Sequence, residues 1–469
     1  MKAVILAAGR GSRFKPFSVV RPKPLFKVLS RPIIEWVIKL LLKANLNDII
    51  IVEGFLGDVL ETKLYDFINK LGNVSVTFIS QEELLGTAVA VKKVFEEYSE
   101  DLVVVPGDLL IENVDPVKKL VSVLESEKAA VPYVKLSRYD DFPSVIVENN
   151  YIKEVCYKPR PWEFKANGAV IGIYGFRYEV ADYVAKTPPL ISKIPVGIAP
   201  PHEADLFETV RILIDNDIRV RAFELGCEWY DVDYPWDPLH ASHMLARWEA
   251  KKLKEGEIYE TASIEEGVEI KGKVSIGRNS IIRKGSVIIG PVWIGENVEI
   301  KEYTYIVGPV SIGNNACLGP FAKVSASFLG DDVCIGHAAD LDNAVVMDGS
   351  YVFHWSHVSG VLGERCDIGA GTVCGTLRFD DEEVKVLVNQ KFKTTGMRAF
   401  GVLMGDYSRT GVGVLIYPGR KIGPYSVVGP GVVVKENIEP FTAVLLKEQK
   451  LEKRKWGPEI YENTSGWLK

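Results

Sequence analysis

A doubly wound α/β domain followed by a parallel β-helix is the architecture this sequence predicts, and three observations carry it. Short apolar runs alternate with amphipathic stretches over the first 240 residues. From residue 264 onward that pattern gives way to an aliphatic side chain at every sixth position. The first apolar run, Lys2 to Leu6, also leads directly into a stretch containing Gly9 and Gly11, where a buried strand can deliver bare backbone N–H groups to an anion.

Taken in order, Lys2 to Leu6 (KAVIL) reads as a buried parallel strand, and Asp48 to Glu53, Val74 to Ser80 and Asp101 to Pro106 read as its neighbours. Pro32 to Asn45 carries Ile33, Trp36, Val37, Leu40 and Leu41 at helical spacing, with Ser30 as the expected N-cap and Pro32 in the first turn. A helical stretch from Trp236 to Leu253 closes the domain, and the charged run Lys251 to Glu257 reads as a linker. The expected divisions are 1–240 for the α/β domain, 241–262 for helix and linker, 263–440 for the β-helix and 441–469 for a polar tail that packs on a neighbour or frays.

The second architecture rests on Ile264, Ile270, Ile276, Ile282, Ile288, Ile294, Ile300, Ile306, Ile312 and Leu318. With aliphatics at roughly one position in three, such a run arises by chance about once in 60,000 starts. A period of six fits neither a helix nor an alternating strand, but it fits a coil whose short strands each point one aliphatic inward. The register breaks after Val324, resumes near Ile335 and is regular again at Met404, Thr410, Ile416, Ile422, Val428 and Val434. The interruption from Leu377 to Arg398 reads as a hairpin or loop thrown out of the coil, a kind of insertion that often lines a solenoid's binding face.

Composition narrows the partners. The 469 residues carry a net charge of −6 with 25% charged side chains, so no basic field attracts nucleic acid or anionic lipid. Small molecules or other protein chains are expected instead. Six cysteines without C-x-x-C spacing read as buried reduced thiols, and the absence of a leader or a membrane-length apolar run gives a cytoplasmic expectation. Three glutamines beside abundant Lys, Glu, Val and Ile match a bias common in proteins from hot environments.

The chemistry starts at LAAGRGSRFKPFSVVRPKPL, Leu6 to Leu25, where Arg13 and a Lys23 held between Pro22 and Pro24 can converge on one anion. The string resembles the signature of the sugar-1-phosphate nucleotidyltransferases, LAAG-x-G-T-R with a later PK, departing at Ser12 where the family usually has Thr. The resemblance implies that Leu6, Ala7, Ala8, Gly9, Gly11 and Ser12 cradle a nucleoside triphosphate, with UTP or dTTP expected. It further implies that Gln81, Gly86 and Thr87 read the base, and that Arg13 holds the β and γ phosphates while Lys23 meets the α-phosphate. Asp108 in Pro106-Gly107-Asp108 and Asp231 in Trp229-Tyr230-Asp231 match the positions that hold Mg²⁺, an ion that takes one or two protein carboxylates and leaves its other positions to phosphate and water. Lys158 resembles the lysine that meets the sugar phosphate.

The sugar side departs from that pattern. Phe142-Pro143-Ser144 stands where the family has Tyr-Gly, Tyr157 replaces a glutamate, and Val170 replaces an asparagine whose role Asn167 could take over. Two outcomes stay open: local drift with compensation, or a different or lost sugar substrate.

The coil resembles the left-handed β-helix of hexapeptide acyltransferases, and the pairing of both halves resembles bifunctional enzymes that acetylate an amino-sugar-1-phosphate and then join it to a nucleotide. His354 in Tyr351-Val352-Phe353-His354-Trp355-Ser356-His357 matches the family's base, with acetyl-CoA as the implied donor. His357 stands for the family's Tyr and Thr376 for an Asn, while Lys385 is retained and the region near Glu382 is acidic. Coils of this family assemble as trimers, so a homotrimer is implied. The rival reading is a non-catalytic regulatory or structural subunit that binds nucleotide sugars and controls an active paralogue.

Overall fold

The computed structural model describes residues 1–83, 85–137, 142–160, 162, 164–188, 203–254 and 256–447. Lys2–Leu6 is the third strand from one edge of a ten-stranded sheet, parallel to Asp48–Glu53 on one side and to Leu102–Pro106 on the other. Four of that strand's five residues, Ala3 to Leu6, follow the apolar pattern expected of one covered on both faces, and Ala3, Val4 and Ile5 are fully buried. Ser75–Ser80 forms one edge; past Leu102–Pro106 the sheet turns mixed, with Tyr174–Phe176 antiparallel to it. The loops leaving the carboxyl ends of the central strands therefore gather at one rim, as in other doubly wound sheets.

The helix expected at Pro32 to Asn45 spans Ile33–Lys43, and Ser30 is not its cap. Ser30 instead donates to the Leu329 carbonyl at 2.9 Å and meets the Ser311 hydroxyl at 2.8 Å, both on the β-helix, so a tertiary contact outcompetes the local one. A sixteen-residue helix, Asp237–Lys252, closes the domain. No helix among the described residues is long and apolar enough to cross a membrane.

The coil is a left-handed β-helix of parallel strands. Ile264, Ile282, Ile300 and Leu318 stack in one column, and Ile276, Ile294 and Ile312 in another, so three hexapeptides make one turn. The break after Val324 has a simple cause: from there turns shorten by a residue, Ile312 pairing with Leu329 and Leu318 with Ile335. Corner residues with left-handed φ form ladders. Asn279, Asn297, Asn315 and Asp332 pass side-chain hydrogen bonds of 3.1–3.2 Å along one corner, which ends in the stacked rings of Tyr407, Tyr425 and Phe441. The interruption is a hairpin, Lys385–Val388 against Lys391–Thr394. Its Val384, Val386 and Val388 pack inward on the domain joint, and His240 Nε2 meets the Thr395 carbonyl at 2.8 Å. Of the thiols, Cys366 and Cys374 are buried and the other four are half-exposed, which corrects the expectation for those four. In the tail, residues 448–469 lie outside the described residues.

The two architectures share a core. Phe14, Phe17, Phe26 and the helix Asp237–Lys252 pack in one apolar cluster with Phe328, Val345, Met347, Val361 and Leu403 of the β-helix.

Candidate active site

Of the two glycines in the loop, the backbone requires Gly11. Gly11 sits at φ +59°, where a Cβ would also approach the Ser18 Cβ to 3.1 Å, and Ser18 Oγ donates to the Gly11 carbonyl at 2.6 Å. Gly9 faces open space. The loop then makes a short helical turn, Ser12–Phe14, whose Phe14 is anchored edge-on against Phe26. Arg13 and Lys23 are left facing the same cavity of about 220 Å³, lined by Leu6, Ala7, Gly9, Gly11, Ser12, Arg13, Lys23, Pro24, Asp108 and Asp233. Ala8 departs from expectation: its side chain is buried and its carbonyl accepts the Phe55 N–H at 3.1 Å, because this residue turns into the sheet.

Asp108 reaches that cavity, and Asp231 stands buried close behind it on an adjacent strand. Asp108 follows Leu102–Pro106, Asp231 ends the strand Trp229–Asp231, and the antiparallel pairing sets Asp231 opposite Leu109. The Val232 N–H donates to the Asp108 carbonyl at 3.2 Å, which locks the two turns together. A third acid, Asp233, was not legible as a site residue. It follows Asp231 by two positions, and its carboxylate pairs with Arg13 at 2.6 Å and with Lys23 at 3.5 Å, while Lys23 Nζ also pairs with Asp108. The alternation Asp231-Val232-Asp233 was the available signal, since residues two apart on extended chain share a face. Asp237 holds the turn: its carboxylate accepts the Asp233 and Tyr234 N–H groups at 2.7 and 2.6 Å and the Tyr230 hydroxyl at 3.0 Å. Burial pushes Asp237 up to about 6 despite those donors.

The electrostatics are those of an uncompensated acid cluster. Burial, then Asp108 and Asp233, push the Asp231 carboxyl well above the usual carboxylate range, with Lys23 and Arg13 offsetting only part. Burial opposes the charge on Lys23, yet Asp108, Asp233 and Asp231 outweigh it and raise its pKa. Three carboxylates against two cations leave an excess negative charge, and a hard divalent cation with carboxylate ligands is what such a donor set fits.

The residues expected to read the base lie on a segment docked against Ala204 and Leu206. Gln81 is 3% exposed and donates from Nε2 to the Gly86 carbonyl at 3.1 Å. Gly86 lies at φ +111° with the Ala204 backbone so close that a Cβ would sit 2.3 Å from its carbonyl oxygen. Thr87 Oγ1 accepts the Leu206 N–H at 2.9 Å. On the sugar side, Pro143 and Tyr157 are register partners in one antiparallel pair, so two of the departures from the family pattern face each other. Lys158, at φ +49°, lays its ammonium 5.3 Å over the Tyr157 ring. Val170 is a correction: it is 2% exposed and packs in the sheet's apolar layer, because its strand is paired on both sides and turns that position inward. Asn167 is not free to replace it, since its amide clasps the Val147 backbone at 2.7 and 2.9 Å.

On the coil, the half-buried His354 ring stacks on His337 from the preceding turn, 4.6 Å between centroids and 11° from parallel, with Trp355 edge-on at 4.8 Å. His357 Nδ1 lies 3.8 Å from Asp340, its register partner. Thr376 uses its carbonyl to accept the Phe400 N–H at 3.0 Å, and Lys385 is exposed on the hairpin.

Known proteins match both halves. The nucleotidyl transferase family profile fits residues 2–233, and a bacterial transferase hexapeptide profile of six repeats fits residues 291–326. The bifunctional sugar-1-phosphate nucleotidylyltransferase/acetyltransferase of Sulfurisphaera tokodaii is 30% identical over 441 residues, spanning 93% of this chain and 98% of its own. The bifunctional protein GlmU of Methanocaldococcus jannaschii is 30% identical over 453 residues, spanning 96% and 98%. A mannose-1-phosphate guanyltransferase of Debaryomyces hansenii is 28% identical over 264 residues, covering 54% of this chain and 68% of its own. With relatives of this identity running through both architectures, the chain belongs to the family of bifunctional sugar-1-phosphate nucleotidylyltransferase/acetyltransferases.

Proposed function

We propose that the α/β domain joins a nucleoside triphosphate, UTP or dTTP, to a sugar-1-phosphate with release of pyrophosphate. The observation that carries this reading is the meeting of Arg13, Lys23 and Asp108 on one cavity at the glycine loop, with Asp231 buried close enough behind them to feel all three charges. Arg13 holds the β and γ phosphates, and Lys23 neutralises charge on the α-phosphate as the sugar-phosphate oxygen attacks phosphorus and the bond to the bridging oxygen breaks. The attacking group is already an anion, so no general base is required. Asp108 and Asp231 would hold Mg²⁺, which supplies Lewis-acid stabilisation of the phosphates when bound. Lys158, whose ammonium leans over the Tyr157 ring, meets the sugar phosphate in this reading. The test is pyrophosphate release across a panel of nucleoside triphosphates and sugar-1-phosphates; no release with any pair overturns the reading and favours a regulatory subunit.

The second reading, acetyl transfer from acetyl-CoA to an amino-sugar-1-phosphate, rests on the half-buried His354 ring held between His337 and Trp355. A histidine fixed in that way is oriented to take a proton from an amine. Light scattering checks the homotrimer that would complete such a site between chains.

A further inference from the structure

We propose that the β-helix positions the lysine of nucleotidyl transfer: Asp406 and Glu364 grip Arg21, and through it the Val20-to-Phe26 segment that aims Lys23 into the glycine-loop cavity. This rests on the nucleotidyl-transfer reading for the role of Lys23. Arg21 is 6% exposed and stands two residues from Lys23. Its guanidinium donates from Nη2 and Nε to Asp406 Oδ2 at 2.7 and 3.2 Å, from Nη1 to Glu364 Oε1 at 2.6 Å, and lies 3.8 Å from Met347 Sδ. Each of these acceptors belongs to the coil.

The grip is rigid on both sides. Asp406 is 1% exposed, and its second oxygen accepts the Glu364 N–H at 3.0 Å, so its carboxylate is fixed on the backbone that carries Glu364. On the loop side, Pro22 and Pro24 flank Lys23, the Leu25 N–H donates to the Pro22 carbonyl at 3.1 Å, and the Phe26 N–H to the Lys23 carbonyl at 2.9 Å. Two residues of stiffened backbone thus convert the seating of Arg21 into the direction of Lys23. A second grip follows: Lys27 pairs with Asp331 at 2.7 Å and Asp348 at 2.8 Å, again on the coil. Beneath both lies the shared apolar cluster of Phe14, Phe17 and Phe26 with Met347 and Leu403.

The division of labour is informative. Asp108 and Asp231 are placed by the α/β domain's own strands, whereas Lys23 takes its aim from the other domain. Buried ion pairs are poor sources of stability, and a satisfied apolar contact would join two domains at least as well. What an Arg with two carboxylates adds is a fixed direction. Arg21 is accordingly a positioning residue, and the coil is a component of the nucleotide site.

The experiment uses the full chain and two readouts. Asp406→Asn, a substitution in the β-helix that keeps the acceptor for the Glu364 N–H, is expected to lower kcat about tenfold, with the KM for sugar-1-phosphate within about twofold. Arg21→Gln is expected to lower kcat further, Arg21→Lys to recover part of that loss, and the double variant Arg21→Gln/Asp406→Asn to be no worse than Arg21→Gln alone. Hydrogen exchange at the Leu25 and Phe26 amides is expected to quicken about tenfold in Asp406→Asn, while Val4 and Val104 in the central sheet keep their protection. If Asp406→Asn does not fold, Glu364→Gln carries the same expectation at smaller size. Unchanged exchange at Leu25 and Phe26, or losses that add in the double variant, overturns the proposal. If the wild type releases no pyrophosphate with any substrate pair, yet Asp406→Asn shows the exchange shift, the nucleotidyl-transfer reading is overturned and the grip stands.

Discussion

The glycine-loop cavity and the histidine face of the coil are built in opposite ways. In the first, Arg13, Lys23, Asp108 and Asp233, from four separate segments, line a space of about 220 Å³ and pair with one another inside a single chain. In the second, His354 is held by ring contacts to His337 and Trp355, and its neighbours bring stacking rather than opposing charge. A site that must bind a polyanion has to assemble charge, and one chain can do that by folding. A site that moves one proton needs a fixed ring and a substrate wall, and the wall can come from a second chain. The contrast therefore predicts that damage to the first site is absolute while the second depends on assembly.

The largest effects fall in the cavity. Lys23→Ala or Asp108→Asn is expected to cut turnover by about 10²-fold or more with the fold intact, since each removes a preorganised charge from a phosphoryl transition state. Near-normal turnover in either variant would break the comparison at its stronger end. His354→Ala is expected to lower thiol release from acetyl-CoA, assayed with glucosamine-1-phosphate and galactosamine-1-phosphate, by about 10²-fold from an already weak rate. Activity that survives the substitution would retire His354 and leave the coil as a scaffold.

Asp233 sharpens the account of the cavity by a smaller step. Its carboxylate occupies Arg13 and Lys23, the two groups proposed to hold the triphosphate. Asp233→Asn is expected to lower the KM for nucleoside triphosphate about fivefold, the equivalent of an ion pair worth about 1 kcal/mol. Steady-state kinetics decides it: a rise in KM would instead place Asp233 among the groups that hold the metal.

What the sequence disclosed and what it withheld divide along physical lines. The strand Lys2–Leu6, the glycine loop and the isoleucine columns were legible because each is encoded by a local pattern: an apolar run, a residue needing left-handed φ, a period of six. Arg21 and Ser30 were not, because their partners stand across the chain and no spacing announces them, and Asp233 was announced only by standing two residues after Asp231. Val170 misled for a related reason. A motif position says which residue stands where a family's polar group would be, whereas strand pairing on both sides decides that this one points into the core. The shortening of the turns after Val324 showed as lost register, and only the pairing of Ile312 with Leu329 explains it.

The smallest effect tests the joint between the two regions. Lys421 on the coil is pushed down to about 8 by burial, with Glu439 offsetting part and Lys15, from the glycine-loop segment, adding repulsion. Its folded pKa thus lies below the value of 10.5 it has when unfolded. Between those values the unfolded chain binds more protons, so stability contributed by this group rises as pH climbs from about 8 to about 10.5 and is at its lowest, and constant, below 8. Lys421→Met removes the penalty while keeping the aliphatic stem. At pH 7 the variant is expected to melt a few degrees above wild type, a gain on the order of 1–2 kcal/mol, and by pH 10 the gap between the two should have largely closed. A gap that stays the same across this range would mean that Lys421 is seated in water and that the coil meets the glycine-loop segment more loosely than its buried ion pairs imply.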